Sequence, residues 1–320
     1  MININVRLRD STRKLRANLS FFFNTKETKY EKKDYKILSE IHVEASKINF
    51  SKEDKLDTHQ IFSQKILNII KKKKLLNFLQ NSFIQQMFFI HNRFFILFEL
   101  IEMRSSKNWS EWKKLIKENN IGNPIRYFLY PRSSGNKIHQ VYHLKKYNDY
   151  SKINLREFSN IIEFGGGYGN MATIFNKINK SSNYIIFDTK EVSLLQYYYL
   201  KKNKLDVSLN KNNNSKIKLI SDIAKLKQIV DKINTKDKNL FIANWSFSEI
   251  PIEFRKKLFF IFKKFNYQIF SFQHYFEKID NLKYFNKIKK INVRNNFQSK
   301  IIDLKSKKNN YYLFNYKKLD

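Results

Sequence analysis

The pattern of apolar and polar positions changes along the chain and separates two kinds of sequence. Residues 61–103 are continuously apolar and Lys-rich without Pro or Gly, and in residues 109–119 the apolar side chains recur at helical spacing. After residue 151, short apolar runs alternate with amphipathic stretches. The first pattern predicts helices, whereas the second predicts an α/β fold with a buried parallel sheet and right-handed crossovers.

The alternating part of the chain supplies the predicted elements of that sheet. The predicted strands are residues 160–164, 184–187, 217–220, 240–243 and 268–272. The predicted helices are residues 168–178, 192–202, 223–233 and 252–265. Residues 311–316 predict a late strand, for which an antiparallel direction is left open.

The Gly and Pro residues outside positions 165–169 mark the predicted domain organisation. Nearly all of them lie in residues 121–136, which therefore predict a loop ahead of the sheet. We expect a mainly helical N-terminal region at residues 1–120, a linker or substrate-side segment at 121–150, and a Rossmann-like domain at 151–320.

Composition narrows the class of protein. An apolar fraction of 42% over 320 residues is sufficient for a buried core, and the absence of Cys excludes disulfides, Cys-bound metal centres and thiol nucleophiles. Residues 1–20 lack the apolar stretch of a secretory signal, and polar residues interrupt the most apolar segment, residues 83–100. We therefore expect a cytoplasmic protein without a transmembrane segment.

The net charge of +34, from 62 basic and 28 acidic residues, raises the hypothesis of a nucleic-acid partner. The excess is spread through both halves of the chain, and the commonest residues have A- and T-rich codons. We attribute most of the Lys excess to coding bias. Nucleic-acid binding is therefore disfavoured but left open.

A cluster of glycines is the most informative feature of the sequence. The chain has six Gly, and four of them, Gly165, Gly166, Gly167 and Gly169, lie within five consecutive positions. They follow a predicted strand that contains Glu163 and precede a predicted helix. Glycine is required where the backbone adopts positive φ or where a ligand lies against the main chain, so the cluster predicts a ligand-binding loop at the carboxyl end of a strand.

Three kinds of loop compete for this cluster. A P-loop requires Lys-Ser/Thr at the helix start, where this chain has Asn170-Met171, and is set aside. A dinucleotide loop is formally present as Gly167, Gly169 and Ala172 and stays open. The third pattern, an acid followed by three alternating glycines, resembles the motif of class I methyltransferases that use S-adenosylmethionine. Glu163 favours that cofactor because its ammonium and sulfonium groups are positive and it carries no phosphate.

Other residues at the ends of predicted strands are candidates for binding the same cofactor. Asp188 is placed to accept hydrogen bonds from ribose hydroxyls. Asp222 could meet the adenine edge or, equally well, cap a helix. Tyr168 is a candidate for stacking on a ring, and Asn244 precedes a polar segment at the same edge of the sheet.

Longer segments resemble the sugar O-methyltransferases of bacterial surface-polysaccharide gene clusters. The segments that carry the resemblance are residues 161–172 (IIEFGGGYGNMA), 184–200 (YIIFDTKEVSLLQYYYL) and 241–251 (FIANWSFSEIP), with 122–124 and 137–147 upstream. The match covers roughly residues 110–275, and Thr189-Lys190 stands where the family pattern has Leu-Pro. The resemblance implies methyl transfer from S-adenosylmethionine to a hydroxyl of a nucleotide sugar or surface glycan.

Such a reaction needs a base for the hydroxyl proton, and two residues are candidates. Glu249 follows the fourth predicted strand, with a helix N-cap near Pro251 as the alternative. His274 follows the fifth, with a hydrogen-bonded core residue as the alternative. His139 and His143 share a helix face, but no carboxylate at a matching offset supports a metal site. Bound Mg²⁺ stays open but is not indicated.

Two other functions remain as alternatives. The net charge favours an RNA methyltransferase, although the chain lacks the Asn/Asp-Pro-Pro-aromatic motif of base N-methylation. A non-catalytic Rossmann module that binds adenosyl ligands is the other. The sequence contains no indication of the oligomeric state.

Overall fold

The computed structural model describes residues 29–48, 58–72, 74–88, 93–210 and 214–317. Its contacts divide the chain into two compact units, the first formed by Met1–Val141 and Leu194–Lys204 and the second by Tyr142–Ser193 and Leu205–Asp320. The three-part division expected from the sequence stays a prediction. The expectation that residues 1–20 are no secretory signal lies outside the described residues.

The first part of the described chain is mainly helical, as predicted. Its elements are α1 Lys32–Ser46, α2 Thr58–Lys71, a 3-10 turn Phe78–Gln80, α3 Ser82–Phe88, α4 Phe94–Arg104, α5 Trp109–Leu115, the strands β1 Arg126–Tyr127 and β2 Tyr130–Ser134, and α6 Gly135–Ser151. None of the helices in the described ranges is long and apolar enough to cross a membrane.

Residues 61–103 do not form one continuous helix. After α2 the backbone N–H groups of Leu75 and Leu76 donate to the hydroxyl of Tyr30, at 3.1 and 3.0 Å. Asn81 then accepts from the N–H of Phe83 at 3.0 Å and starts α3. Polar side chains that satisfy backbone donors therefore divide a segment that lacks any Pro or Gly.

The predicted loop at residues 121–136 is partly wrong, because it contains an antiparallel hairpin. Strands β1 and β2 pair in it, and α6 begins at Gly135. Gly122 has φ +75°, and a Cβ there would lie 2.4 Å from the Phe78 ring. The Gly-Asn-Pro segment is therefore a tight turn packed against an aromatic side chain of the same unit.

The remainder of the chain alternates strands and helices. Its elements are a 3-10 turn Leu155–Glu157, β3 Asn160–Phe164, α7 Asn170–Ile178, β4 Asn183–Phe187, α8 Lys190–Lys202, β5 Val207–Leu209, β6 Ile217–Ile220, α9 Ile223–Asp231, β7 Asn239–Asn244, a 3-10 turn Ser246–Glu249, α10 Ile252–Lys257, α11 Phe259–Phe262, β8 Tyr267–Gln273, β9 Tyr275–Phe276, β10 Ile279–Asp280, α12 Asn281–Arg294, β11 Gln298–Asp303 and β12 Asn310–Tyr316.

These strands form an eight-stranded sheet in the order β11-β12-β8-β7-β3-β4-β6-β5. Strands β3 to β8 run parallel, and β12 pairs antiparallel with both β8 and β11. Taken in chain order, β3, β4, β6, β7 and β8 give the 3-2-1-4-5 arrangement of Rossmann-like folds. The predicted α/β class is therefore confirmed, and the late strand is antiparallel.

Two features of the second unit differ from the prediction. The helix expected at residues 252–265 is divided at Leu258 into α10 and α11. Strand β5, the β9-β10 hairpin, α12 and β11 were not predicted. One core cluster packs the rings of Phe241, Phe247, Phe262, Phe270 and Phe285 together, so the aromatic excess of the sequence fills the interior of this unit.

Candidate ligand site at the carboxyl edge of the sheet

The parallel strands of the second unit bring the candidate residues to one edge of the sheet. From β3 the chain continues to β4 on one side, while β7 lies on the other, so the strand order reverses between β3 and β7. Ligands of open α/β sheets bind at such a switch point, beyond the carboxyl ends of the strands. Segments that begin at Gly165, Asp188, Asp222, Trp245 and His274 leave the sheet at this edge.

The glycine loop, Gly165–Gly169, follows β3 and has a backbone that only glycine adopts readily. Gly165, Gly167 and Gly169 have φ values of +70°, +56° and +92°. A Cβ on Gly165 would lie 2.3 Å from Cβ of Ser246, and one on Gly166 would lie 2.7 Å from Cγ2 of Ile186. Conformation and space therefore both require glycine where the loop leaves the strand.

Neighbouring strands hold the start of this loop on both sides. The N–H of Gly165 donates to the carbonyl of Phe187, at the end of β4, at 2.9 Å. The hydroxyl of Ser246, just after β7, donates to the carbonyl of Phe164. The main chain at the switch point is thus fixed by its own unit.

Glu163 is the buried acid beneath the loop. Its side chain is 4% exposed, and its Oε2 accepts a hydrogen bond from the hydroxyl of Tyr184 at 2.8 Å. Burial raises the pKa of Glu163 to about 8, with a smaller contribution in the same direction from Asp188, while the Tyr184 hydrogen bond acts in the opposite direction. A neighbouring cation would favour the carboxylate, so a positively charged group bound here would lower this pKa.

The two aspartates that follow the next strands have different surroundings. Asp188 is half-buried after β4, and its Oδ1 accepts from the N–H of Thr189 at 2.9 Å. Asp222 is the N-cap of α9, and its Oδ1 accepts from the N–H of Lys225 at 2.8 Å. Asp222 therefore caps a helix, which was the alternative to a ligand contact. Its other carboxylate oxygen, Oδ2, is the one left for a ligand.

The segment after β7 is held in a strained conformation. Trp245 has φ +64°, its N–H donates to the carbonyl of Ser271 at 2.7 Å, and its indole N–H donates to Oδ1 of Asn310 at 2.9 Å. Lys307 lies 4.8 Å from the centre of its ring. Asn244 is half-buried and accepts from the hydroxyl of Ser271 at 2.8 Å. Strain maintained by several hydrogen bonds is a feature of functional segments.

Glu249 ends the 3-10 turn after β7 and does not cap the following helix, whose N-cap is Pro251. A buried arginine holds the main chain on both sides of Glu249. Arg255 donates to the carbonyls of Ser248 and Ile250, at 2.8 and 3.0 Å, and to Oδ1 of Asn281 at 2.9 Å. The position of Glu249 is therefore set by a rigid guanidinium and its three acceptors.

His274 follows β8 and is not a buried core residue. Its side chain is 27% exposed, it stacks on Tyr275 with ring centres 4.2 Å apart, and its Nε2 lies 3.7 Å from Oδ1 of Asp280. Tyr168, by contrast, is 1% exposed. His274 is thus partly accessible to solvent, whereas Tyr168 is a buried residue of the glycine loop.

The histidine pair of α6 has separate partners. Nδ1 of His139 lies 2.8 Å from both carboxylate oxygens of Glu99, and Nδ1 of His143 lies 2.6 Å from the hydroxyl of Tyr312. Within the described ranges, no group of three or more His, Asp or Glu side chains is arranged to hold a metal ion. The shared helix face therefore reflects two independent hydrogen-bonded pairs.

Three contributors to the site were missed by sequence reasoning: Tyr184, Ser246 and Arg255. Tyr184 starts a strand and reads as a core residue, and the sequence alone cannot pair its hydroxyl with Glu163. Ser246 lies within a segment already singled out, without any signal of its contact with Gly165. Arg255 had a usable signal, since it is the single Arg beside two Lys in α10, and Arg is preferred where several acceptors converge.

No family model and no curated protein matches the chain. Among solved structures, it is similar to a ribosomal protein L11 methylase from Lactobacillus delbrueckii subsp. bulgaricus, at 16% identity over 57% of this chain and 79% of that one, with a TM-score of 0.37. It is also similar to an rRNA methylase from Streptococcus thermophilus, at 12% identity over 54% of this chain and 94% of that one, with a TM-score of 0.39. A third similar structure is magnesium protoporphyrin IX methyltransferase from Synechocystis PCC 6803 with bound SAH, at 13% identity over 68% of this chain and 97% of that one, with a TM-score of 0.36. The fold assignment rests on the strand order of this chain and not on these similarities.

Proposed function

We propose that the glycine loop binds S-adenosylmethionine and that the protein is a methyltransferase. The observation that carries this proposal is the buried carboxyl group of Glu163 beneath a loop of left-handed glycines at the switch point. The loop supplies close approach to the main chain, and Glu163 supplies a buried carboxyl group that a bound cation would ionise. The α-ammonium of the methionine moiety matches that charge.

A dinucleotide is the competing ligand for the same loop. Its pyrophosphate would be attracted by helix N-H groups and repelled by an ionised Glu163. With its pKa raised to about 8 by burial, Glu163 is mostly protonated at neutral pH in the ligand-free protein. A neighbouring cation would favour its ionisation and gain a charge contact, whereas a pyrophosphate would oppose its ionisation and gain none. The site therefore favours the methyl donor over a dinucleotide.

The other candidate contacts follow from the strand ends. Asp188 would accept hydrogen bonds from the ribose hydroxyls, and Asp222 would reach the adenine edge through the oxygen not used in capping. Asn244 lies at the same edge of the sheet as these aspartates, and Tyr168 is a buried member of the loop. When bound, the cofactor supplies an electrophilic methyl group.

Calorimetric titration with S-adenosylhomocysteine tests the cofactor site. We expect Gly167→Leu to abolish binding, because a side chain at φ +56° is strained and occupies the ligand face. Glu163→Gln should weaken binding by about tenfold or more at pH 8.5, in proportion to a lost charge-assisted contact. Glu253→Gln, a surface acid in α10, is the matched control. Unchanged affinity in both loop variants would exclude this site, and binding of NAD in its place would identify a dinucleotide loop.

We further propose that the methyl acceptor is a hydroxyl of a nucleotide sugar or surface glycan. The support is the sequence resemblance, together with two partly exposed groups at the same sheet edge that can accept a proton. Glu249 is held by main-chain contacts of Arg255, and His274 is partly exposed. Either would take the proton of the acceptor hydroxyl as the hydroxyl oxygen bonds to the methyl group; the methyl–sulfur bond would break, with S-adenosylhomocysteine as the second product.

Transfer of a labelled methyl group tests the acceptor. Nucleotide sugars, purified surface glycan and bulk RNA are incubated separately with enzyme and labelled cofactor. We expect label in the sugar fractions, and Glu249→Gln or His274→Ala should lower turnover at saturating cofactor by at least about tenfold. Label in the RNA fraction alone would show that the methyl acceptor is RNA and not a sugar. Cofactor binding with no transfer to any acceptor would indicate a non-catalytic binding module.

A further inference from the structure

The first unit contains a pocket unrelated to the glycine loop. It is formed by the end of α4, by α5 and by the β1-β2 hairpin, and has a volume of about 210 Å³. Three cationic side chains line it, Arg104, Lys113 and Arg132, together with the rings of Trp109 and Tyr130. We call this the basic pocket.

Among the described residues, no carboxylate neutralises the charges of the basic pocket. No carboxylate lines it, and none of the three cations has a carboxylate partner within the described part of the chain. Elsewhere in the same unit, buried cations do have acids: Lys137 pairs with Glu118, and Lys202 with Asp34, each at 2.9 Å. Three like charges converging on one concavity repel one another, and an anion relieves that repulsion.

The aromatic residues of the pocket add a second kind of contact. The guanidinium of Arg104 lies 6.0 Å from the ring centre of Trp109, at the outer limit of a cation–π contact. Trp109 and Tyr130 are half-buried, and Leu129, 45% exposed, lies at the rim. The walls therefore offer ring faces and an apolar edge beside the cationic groups.

We propose that the basic pocket binds a phosphate or pyrophosphate group attached to a ring or to an apolar chain. Arginine forks pair with phosphate oxygens, and the aromatic walls take the attached group. The volume is below the roughly 300–1,000 Å³ of sites for whole drug-sized ligands, so the pocket accommodates a headgroup rather than a complete nucleotide sugar. The inference stands on its own observations and does not depend on methyl transfer.

Calorimetric titration with inorganic pyrophosphate tests the headgroup site. We expect saturable binding that Arg104→Gln and Arg132→Gln each weaken by about tenfold, the effect of one charge-assisted contact. Lys114→Gln is the matched control, since Lys114 is the exposed neighbour of Lys113 on α5 and does not line the pocket. It should change affinity less than twofold. All three variants alter exposed residues, and their melting temperatures should match that of the unmodified protein.

Two further probes distinguish the sources of the phosphate. Tighter binding of uridine diphosphate than of pyrophosphate, lost in Trp109→Leu, supports a soluble ligand with a ring. Cosedimentation with phosphatidylglycerol vesicles but not phosphatidylcholine vesicles, lost in Arg132→Gln, supports a lipid headgroup. The proposal is overturned if none of the three probes binds saturably, or if Lys114→Gln weakens binding as much as the pocket variants. Equal loss would mean attraction by the overall charge of the chain.

Discussion

The glycine loop and the basic pocket are two candidate ligand sites built in opposite ways. The loop is made of main chain in a left-handed conformation over a buried acid, and hydrogen bonds to Phe187 and from Ser246 hold its start. The charges of the pocket are carried by exposed Arg and Lys side chains with long, flexible stems. Ligand binding at a site of the first kind is sensitive to any added side-chain atom and insensitive to salt. Ligand binding at a site of the second kind tolerates changes of side-chain shape but depends on charge and therefore on salt. The two sites therefore respond to different perturbations.

The largest expected effect concerns Glu163 and the dependence of stability on pH. The pKa of this acid in the folded protein, about 8, lies above the ordinary value of 4.5. The folded state therefore holds a proton that the unfolded state has lost, and the free energy of unfolding falls as the pH rises from about 4.5 to about 8. Glu163→Gln removes this pH dependence, so the difference in free energy of unfolding between the two proteins should shift in favour of the variant by about 3–5 kcal/mol from pH 5 to pH 8.5.

Urea denaturation of both proteins at pH 5 and pH 8.5 measures that difference. The advantage of Glu163→Gln should grow with pH, while Glu253→Gln should show no such growth. A variant that gains stability and loses cofactor affinity would show that the buried acid is retained for binding. Parallel pH profiles of the two proteins would contradict the raised pKa.

The next effect tests how strictly the backbone of the loop is determined. Gly165→Ala places a methyl group 2.3 Å from Cβ of Ser246 at a φ of +70°. Strain and overpacking together should lower the free energy of unfolding by about 2–4 kcal/mol. In the double variant with Ser246→Gly the clash disappears, so part of the loss should return. Denaturation of the four proteins of this cycle gives the coupling energy, and additive effects would argue against the contact.

A smaller effect is expected from the arginine that holds Glu249. Arg255→Lys cannot reach all three acceptors and should lower the free energy of unfolding by about 1–3 kcal/mol. Turnover should fall while the dissociation constant of S-adenosylhomocysteine stays unchanged, because Arg255 contacts the segment of Glu249 and not the glycine loop. Lys256→Gln, its exposed neighbour, should alter neither quantity. A loss of cofactor affinity equal to the loss of turnover would assign Arg255 a general structural role.

The smallest expected effect separates the two sites by their response to salt. Raising NaCl from 50 to 200 mM shortens the screening length from roughly 14 Å to about 7 Å. Pyrophosphate binding to the basic pocket should weaken by roughly threefold to tenfold. Binding of S-adenosylhomocysteine, which is net neutral, should change less than about twofold since its cationic group meets a buried acid. Calorimetry at both salt concentrations measures how much each dissociation constant changes with salt. Equal changes for the two ligands would remove the contrast between the sites.

Much of the fold followed from local patterns. The strands β3 and β6 have the predicted bounds, β4 is one residue longer at its start, and β7 and β8 are one residue longer at each end. The agreement is close because buried parallel strands are short apolar runs between polar loops. Strand β5 and α12 were missed, since β5 has three residues and α12 is rich in Lys. The interruption after α2 depends on the hydroxyl of Tyr30, more than forty residues away, and no local pattern contains it.

The candidate site likewise has some features that the sequence predicts and others that it does not. The glycines and Glu163 could be located because scarce glycine clustered beside an acid at a strand end. The hydrogen bond from Tyr184, the contact of Gly165 with Ser246 and the arrangement around Arg255 could not, because each joins residues on different strands or helices. Nothing in the sequence marked Arg104, Lys113 and Arg132 among 62 basic residues, and they share a pocket only through the fold of α4, α5 and the hairpin.

The sequence by itself determined the α/β class, the positions of the parallel strands and the place of the glycine loop. These depend on the period of apolar residues and on the conformational freedom of glycine, which are local properties. Tertiary structure decided that Glu163 is buried with a raised pKa, that Asp222 caps a helix, and that three surface cations converge. These depend on which side chains exclude water from one another, and that is settled only when distant segments pack together.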